Sequence, residues 1–190
     1  MKIIFMGTPE FAVPSLDILL KNGYEIPAVV TVPDRKKGRG LQESYSDVKS
    51  YALEKGLRVL QPEKLKDEEF VQALKDIAPD VIVVVAFRIL PKEVYTIPKL
   101  GSFNLHASLL PKYRGAAPIN WALINGETET GVTTFFLQDK VDTGNVILQK
   151  KVKIDEDDTA GTLHNKLAFI GKEAVLETVR KIEAGDVKIF

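Results

Sequence analysis

The 190-residue sequence predicts an α/β fold: a mostly parallel, twisted sheet with helices on both faces and an antiparallel strand pair near the C-terminus. Three observations carry this. Residues 2–6, a helical stretch and residues 26–32 follow one another as strand, helix, strand, the order of a right-handed βαβ unit. Residues 81–87 read Val-Ile-Val-Val-Val-Ala-Phe, apolar on both faces, as expected of a strand inside a parallel sheet. Residues 130–137 and 146–154 instead alternate, which marks two strands folded back on each other.

In chain order, Gly7 permits a tight turn, Thr8 is placed to cap, and Pro9 fits the first position of a helix running to about Asn22. Phe11, Leu16, Leu19 and Leu20 form its apolar side. Gly7 reads as a turn glycine, since the Gly-x-Gly-x-x-Gly spacing of dinucleotide sites is absent. Residues 33–41 then place Arg35, Lys36, Lys37 and Arg39 beside Gly38 and Gly40. That basic loop is either solvated surface or a contact for a phosphate backbone. A helix over 46–55 and a short strand over 58–60 follow. Asp67, Glu68 and Glu69 open the next helix at its positive end, Phe70, Leu74 and Ile77 give it a stripe, and Pro79 stops it. The central strand gives way at Arg88-Ile89-Leu90-Pro91 to a strand through Asn104 and His106, and residues 119–124 form a short helix with the only tryptophan, Trp121. Residues 138–144 connect the alternating strands. Thr159 leads into a final helix whose apolar positions run from Leu163 to Ile182 and which stops at Gly185. Residues 187–190 are either an edge strand or the start of a linker.

Hydrophobic residues make up 45% and charged residues 27%, ordinary globular usage for one domain. Lys plus Arg and Asp plus Glu are 26 each, so no global field recruits a polyanion. With no cysteine, disulfides, thiolate nucleophiles and cysteine-held metals are excluded, and the paired-histidine spacing of a metal site is missing too. The apolar start is too short for a signal peptide and no run is long enough to span a membrane, so a cytoplasmic protein without membrane contact is expected.

Two residues apart on a strand, Asn104 and His106 project from the same face. Ser108, Pro111, Gly115 and Pro118 supply turn chemistry just beyond, which sets the pair where a strand becomes a loop, the usual ligand-binding edge of an open α/β sheet. Of the two histidines, His164 lies in the amphipathic final helix and reads as a surface or packing residue. His106 is either a satisfied structural histidine or a proton-transfer group. Asp142, in an Asp-Thr-Gly turn, reaches the same edge if the last two strands fold back. An amide that donates to a developing oxyanion, an imidazole that moves a proton and a carboxylate that orients it together suit acyl transfer to an amine. Ser108 has no Gly-x-Ser-x-Gly elbow and does not read as a nucleophile.

At these residues the chain resembles the folate-dependent formyltransferases. The resemblance runs through residues 5–12 (Phe-Met-Gly-Thr-Pro-Glu-Phe-Ala), Pro33-Asp34-Arg35, Gly38-Arg39-Gly40, Asn104-Leu105-His106, Ser108-Leu109-Leu110-Pro111, Arg114-Gly115, Thr130-Gly131-Val132-Thr133 and Asp142-Thr143-Gly144, nearly the whole chain. It implies a Rossmann-like domain that moves the formyl group of 10-formyltetrahydrofolate to an amine without a metal. By position, Asn104 would stabilise the oxyanion, His106 would transfer protons, and Asp142 would position and tune His106. Arg88, Ile89 and Leu90 would join Ser108, Leu109, Leu110 and Pro111 in binding folate. The resemblance is strongest to members that formylate methionyl initiator tRNA, for which Arg35, Lys36, Lys37 and Arg39 would contact the tRNA. In that loop Lys36 stands where the common pattern has proline, and Leu41-Gln42 where it has a lysine pair. Lys112-Tyr113-Arg114-Gly115, Asn120-Trp121 and Arg88 also look like members acting on nucleotide-linked amino sugars, the alternative acceptor. A non-catalytic folate- or RNA-binding module is the alternative of another class. The expectation is a monomeric catalytic domain over 1–190, with the family's C-terminal β-barrel domain absent from this chain, as a fragment or a reduced member.

Overall fold

In the computed structural model, which describes residues 1–37, 42–139 and 144–187, the apolar runs become inner strands because both their faces are covered. The chain opens with β1 (Lys2–Gly7), α1 (Val13–Lys21) and β2 (Glu25–Val30). Next come β3 (Arg35–Lys37), β4 (Gln42–Ser44), α2 (Asp47–Glu54), β5 (Val59–Leu60) and α3 (Glu68–Ile77). The second half holds β6 (Val81–Val85), α4 (Lys92–Tyr95), β7 (Ser102–His106), α5 (Pro118–Ile124), β8 (Glu129–Phe136), β9 (Val146–Lys153) and α6 (Ala160–Glu183).

Seven strands form one sheet in the order β5-β2-β1-β6-β7-β8-β9. The pairings from β5 to β7 are parallel, while β8 runs against both β7 and β9. The chain therefore steps outward from β1 to β2 and β5, then returns to lay β6 on the other side of β1. Strand order reverses there, which is the place where open α/β sheets form a crevice at the carboxyl ends of their strands.

The two-residue period divides the core. Ile3, Phe5, Val83, Phe103 and Leu105 pack with Leu16, Leu167 and Val175 on the face covered by α1 and α6. Ile4, Met6, Ile82 and Val84 pack with Phe70, Leu74 and Val94 on the face covered by α3 and α4. Local signals agree with this layout. The Ser46 hydroxyl accepts from the Lys49 amide at 3.0 Å and caps α2, Thr159 caps α6 in a reciprocal box with Thr162, and Gly185 ends the described chain's last helix with φ +69°.

Three expectations need correction, and one element was not foreseen. Pro9 does not start a long helix: Glu10–Ala12 form a 3-10 turn and α1 begins only at Val13. Gly7 permits the close approach of this turn to the strand ends, since a Cβ on it would lie 2.8 Å from the Ala12 Cβ and 2.9 Å from the Val85 carbonyl. Thr8 caps nothing; its hydroxyl is buried without a partner among the described residues. The central strand stops at Val85, where Ala86 turns the chain out with φ +48°. Finally, α4 was not expected: a single turn after Pro91 is too short to show a period. Residues 188–190, the end of the expected tail, and residues 140–143 of the connection before β9 lie outside the described residues.

Candidate active site

Alternation along β7 sends Phe103 and Leu105 into the core under α6 and turns Ser102, Asn104 and His106 to the other face. The Ser102 hydroxyl donates to the Tyr95 carbonyl at 2.7 Å and seats α4 beside this strand. A cavity of about 970 Å3 opens at the carboxyl ends of β1, β6 and β7, lined among others by Pro9, Ala86, Asn104 and His106. It lies at the reversal of strand order, and its size is that of a small-molecule site.

Asn104 is half-buried, and no hydrogen bond holds its side chain among the described residues. Its amide is available to a ligand. His106 is only 8% exposed, and its Nε2 donates to the Tyr113 carbonyl at 2.7 Å. A carbonyl can only accept, so in the neutral ring the proton sits on Nε2 and Nδ1 keeps its lone pair.

Arg88, Ile89 and Leu90 also line the cavity. Arg88 spends its two terminal nitrogens on the Glu63 carbonyl at 3.0 Å and the Pro62 carbonyl at 2.8 Å, and burial lowers its pKa. Its Nε is buried with no partner among the described residues. Leu90 is buried and Ile89 is 73% exposed, an apolar side chain held open to a ligand.

Ser108, Leu109, Leu110 and Pro111 do not line the cavity. They form the turn that follows β7, with a cis Leu110-Pro111 bond. The Ser108 hydroxyl donates to the Lys112 carbonyl at 2.6 Å. Thr133 on β8 is the hub: its hydroxyl donates to the Ser108 carbonyl at 2.7 Å and accepts from the Leu110 amide at 3.1 Å and the Gln149 amide at 2.9 Å. That is one donor and two acceptors, all used. Thr133→Val, nearly the same shape, leaves a buried N–H and a buried carbonyl without partners. It is expected to destabilise the chain by about 2 kcal/mol, read as a lower denaturant midpoint at unchanged slope.

Asp142 lies outside the described residues. The connection's near end is anchored, because the Tyr95 hydroxyl donates to Asp139 at 2.5 Å, and both residues line the cavity. In the basic segment, β3 and β4 pair antiparallel as a separate ribbon, and Arg35 is exposed away from the cavity lining. The ribbon's root is fixed by Asp34, which pairs with Lys49 and accepts from Gln61 at 2.8 Å; the Lys49 contact, then Gln61, holds its carboxyl below the usual range. Lys36 and Lys37 continue β3 beside Arg35, and Arg39 lies outside the described residues.

Two contributors were not expected from the sequence. His164 does pack, edge-on to Phe11 with ring centroids 5.3 Å apart, but the pair also lines the cavity. Its place four residues after Ala160 and four before Ala168, on the rim of the buried stripe of α6, was the available signal. Tyr113 contributes through its carbonyl, for which residue type gives no sign.

Curated methionyl-tRNA formyltransferases of Caldanaerobacter subterraneus subsp. tengcongensis and Flavobacterium psychrophilum are 57% and 58% identical over 187 and 188 residues, covering 97% and 98% of this chain. The chain spans about 60% of the length of these relatives. Among solved structures, glycinamide ribonucleotide transformylase 1 from Symbiobacterium toebii superposes with a TM-score of 0.82 at 19% identity, covering all of this chain and 91% of that one, a likeness of fold. A sugar 3N-formyl transferase solved with dTDP and 5-N-formyl-THF has a TM-score of 0.73 at 27% identity, covering all of this chain and 65% of that one. The family model described as formyl transferase matches residues 1–179. The chain belongs to the formyl transferase family.

Proposed function

We propose that this chain transfers the formyl group of 10-formyltetrahydrofolate to the amino group of methionyl initiator tRNA. The observation that carries the chemistry is the pairing of Asn104 and His106 on one face of β7, both on the wall of a cavity of about 970 Å3 at the strand-order reversal. The amine lone pair bonds the formyl carbon while the carbonyl pair moves to oxygen, and the Asn104 amide donates to that oxyanion. His106 takes the proton the amine gives up. As the tetrahedral centre collapses, the bond between formyl carbon and folate nitrogen breaks and His106 returns the proton to that nitrogen. Asp142 is assigned the role of tuning the ring from its place in the family motif.

The residues fit the donor. Ile89, Leu90 and Leu137 offer an apolar lining. The acceptor is supported by the relatives named methionyl-tRNA formyltransferase, more than half identical over nearly the whole chain, and by Arg35, Lys36, Lys37 and Arg39 as phosphate contacts. The second reading, a nucleotide-linked amino sugar, is favoured by the 27% identical sugar enzyme whose structure holds dTDP. Offering the chain 10-formyltetrahydrofolate with methionyl initiator tRNA or with an amino-sugar nucleotide separates them. Formylation of the tRNA is expected; formylation of the sugar alone would transfer the assignment to the second reading, and donor binding without turnover on either would leave a binding module.

A further inference from the structure

We propose that Tyr113 and Glu127 are positioning residues that lock His106 in the tautomer protonated on Nε2, so that Nδ1 is the nitrogen that accepts and returns the proton. This rests on the formyl-transfer reading above and names the reacting atom within it. Tyr113 holds an αL backbone, φ +55°, which a non-glycine residue adopts only at a cost of roughly 1–2 kcal/mol. Its surroundings keep it there. The Tyr113 hydroxyl donates to Glu127 at 2.7 Å and accepts from the Asn125 side-chain amide at 3.0 Å. Lys112, the preceding residue, reaches the same carboxylate at 3.0 Å, and its own carbonyl accepts from Ser108 at 2.6 Å. The Glu127 backbone is in turn fixed by a 3.0 Å bond to the Ala122 carbonyl on α5.

The Glu127 carboxylate thus holds ring and neighbour of one residue, and that residue's carbonyl stands 2.7 Å from His106 Nε2. The Tyr113 hydroxyl first and then Lys112 keep the Glu127 carboxyl below its usual range, so the clamp stays charged through the neutral region. When Nδ1 accepts the amine proton, Nε2–H remains bonded to the carbonyl, and the imidazolium charge is delocalised over a ring already held on one side. When Nδ1 returns it, the neutral ring is left in the state in which it began. No rotation of the ring is required between the two transfers.

The chain holds only two histidines, which makes a direct test simple. The chain carrying 15N-labelled histidine gives two imidazole signal sets, and His164→Ala assigns them. In its neutral form, read at alkaline pH, His106 is expected to show Nε2 protonated and Nδ1 bare. An Nδ1–H ring, or an even mixture, overturns the proposal. Glu127→Ala is expected to turn the single tautomer into a mixture and to lower the transfer rate about tenfold at unchanged donor affinity. Glu127→Gln keeps an acceptor for the Tyr113 hydroxyl and is expected to restore most of both. A Glu127→Ala chain that stays folded with His106 still in one tautomer overturns the clamp. The tautomer is read without substrate, so a bare Nδ1 in a chain that transfers no formyl group would sink the functional reading alone.

Discussion

His106→Ala is expected to slow formyl transfer by about 10²–10⁴-fold, the usual worth of a positioned general acid–base group. The alanine variant also removes a ring that is 8% exposed and leaves the Tyr113 carbonyl without its donor, so lost rate and lost packing are mixed in it. His106→Gln separates them. A glutamine amide can still donate to a carbonyl, but it takes no proton near neutrality. Both variants should share the rate loss while the glutamine variant keeps more of the stability. Single-turnover rates at saturating donor and acceptor, beside denaturant midpoints, decide it. A glutamine variant turning over near the original rate would remove proton transfer from His106 and return the residue to a structural role.

What the sequence made legible follows from period and repeat of side chains. The apolar run of β6, the folding back of β9 on β8 and the face shared by Asn104 and His106 are properties of side-chain order and are found, although β6 ends at Val85 and β8, buried on both faces from Thr130 to Phe135, does not alternate as β9 does. What stayed hidden is set by backbone conformation and by contacts distant in sequence. The 3-10 turn after Pro9 depends on how closely Gly7 approaches Ala12 and Val85. Ala86 and Tyr113 both turn the chain through positive φ, a conformation their types do not advertise. Arg88 illustrates the same divide: its presence at the cavity was expected, while the fixing of its head by the Pro62 and Glu63 carbonyls belongs to a loop some twenty-five residues away in sequence.

Gly131→Val is expected to destabilise the chain by about 3 kcal/mol or more, toward the upper end of overpacking costs. The glycine lies in β8 within the segment Thr130-Gly131-Val132-Thr133, and its backbone has no unusual φ to explain it. Space explains it. A Cβ there would stand 2.1 Å from the Lys150 carbonyl oxygen and 2.6 Å from the Leu109 side chain. Leu109 can swing aside, but the Lys150 carbonyl belongs to β9 and moves only if the β8–β9 pairing opens. The valine thus has to break the ladder on one side or push out, on the other, the turn that Thr133 fastens through the Ser108 carbonyl and the Leu110 amide. Because that turn leads into Lys112 and Tyr113, a Gly131→Ala variant that remains folded should also lose transfer rate beyond what its folded fraction accounts for. Urea titration followed by rate measurement on the folded population tests both halves. A Gly131→Val chain as stable as the original would mean that β9 yields freely, and the close approach of the two strands would then not be what holds the turn beneath His106.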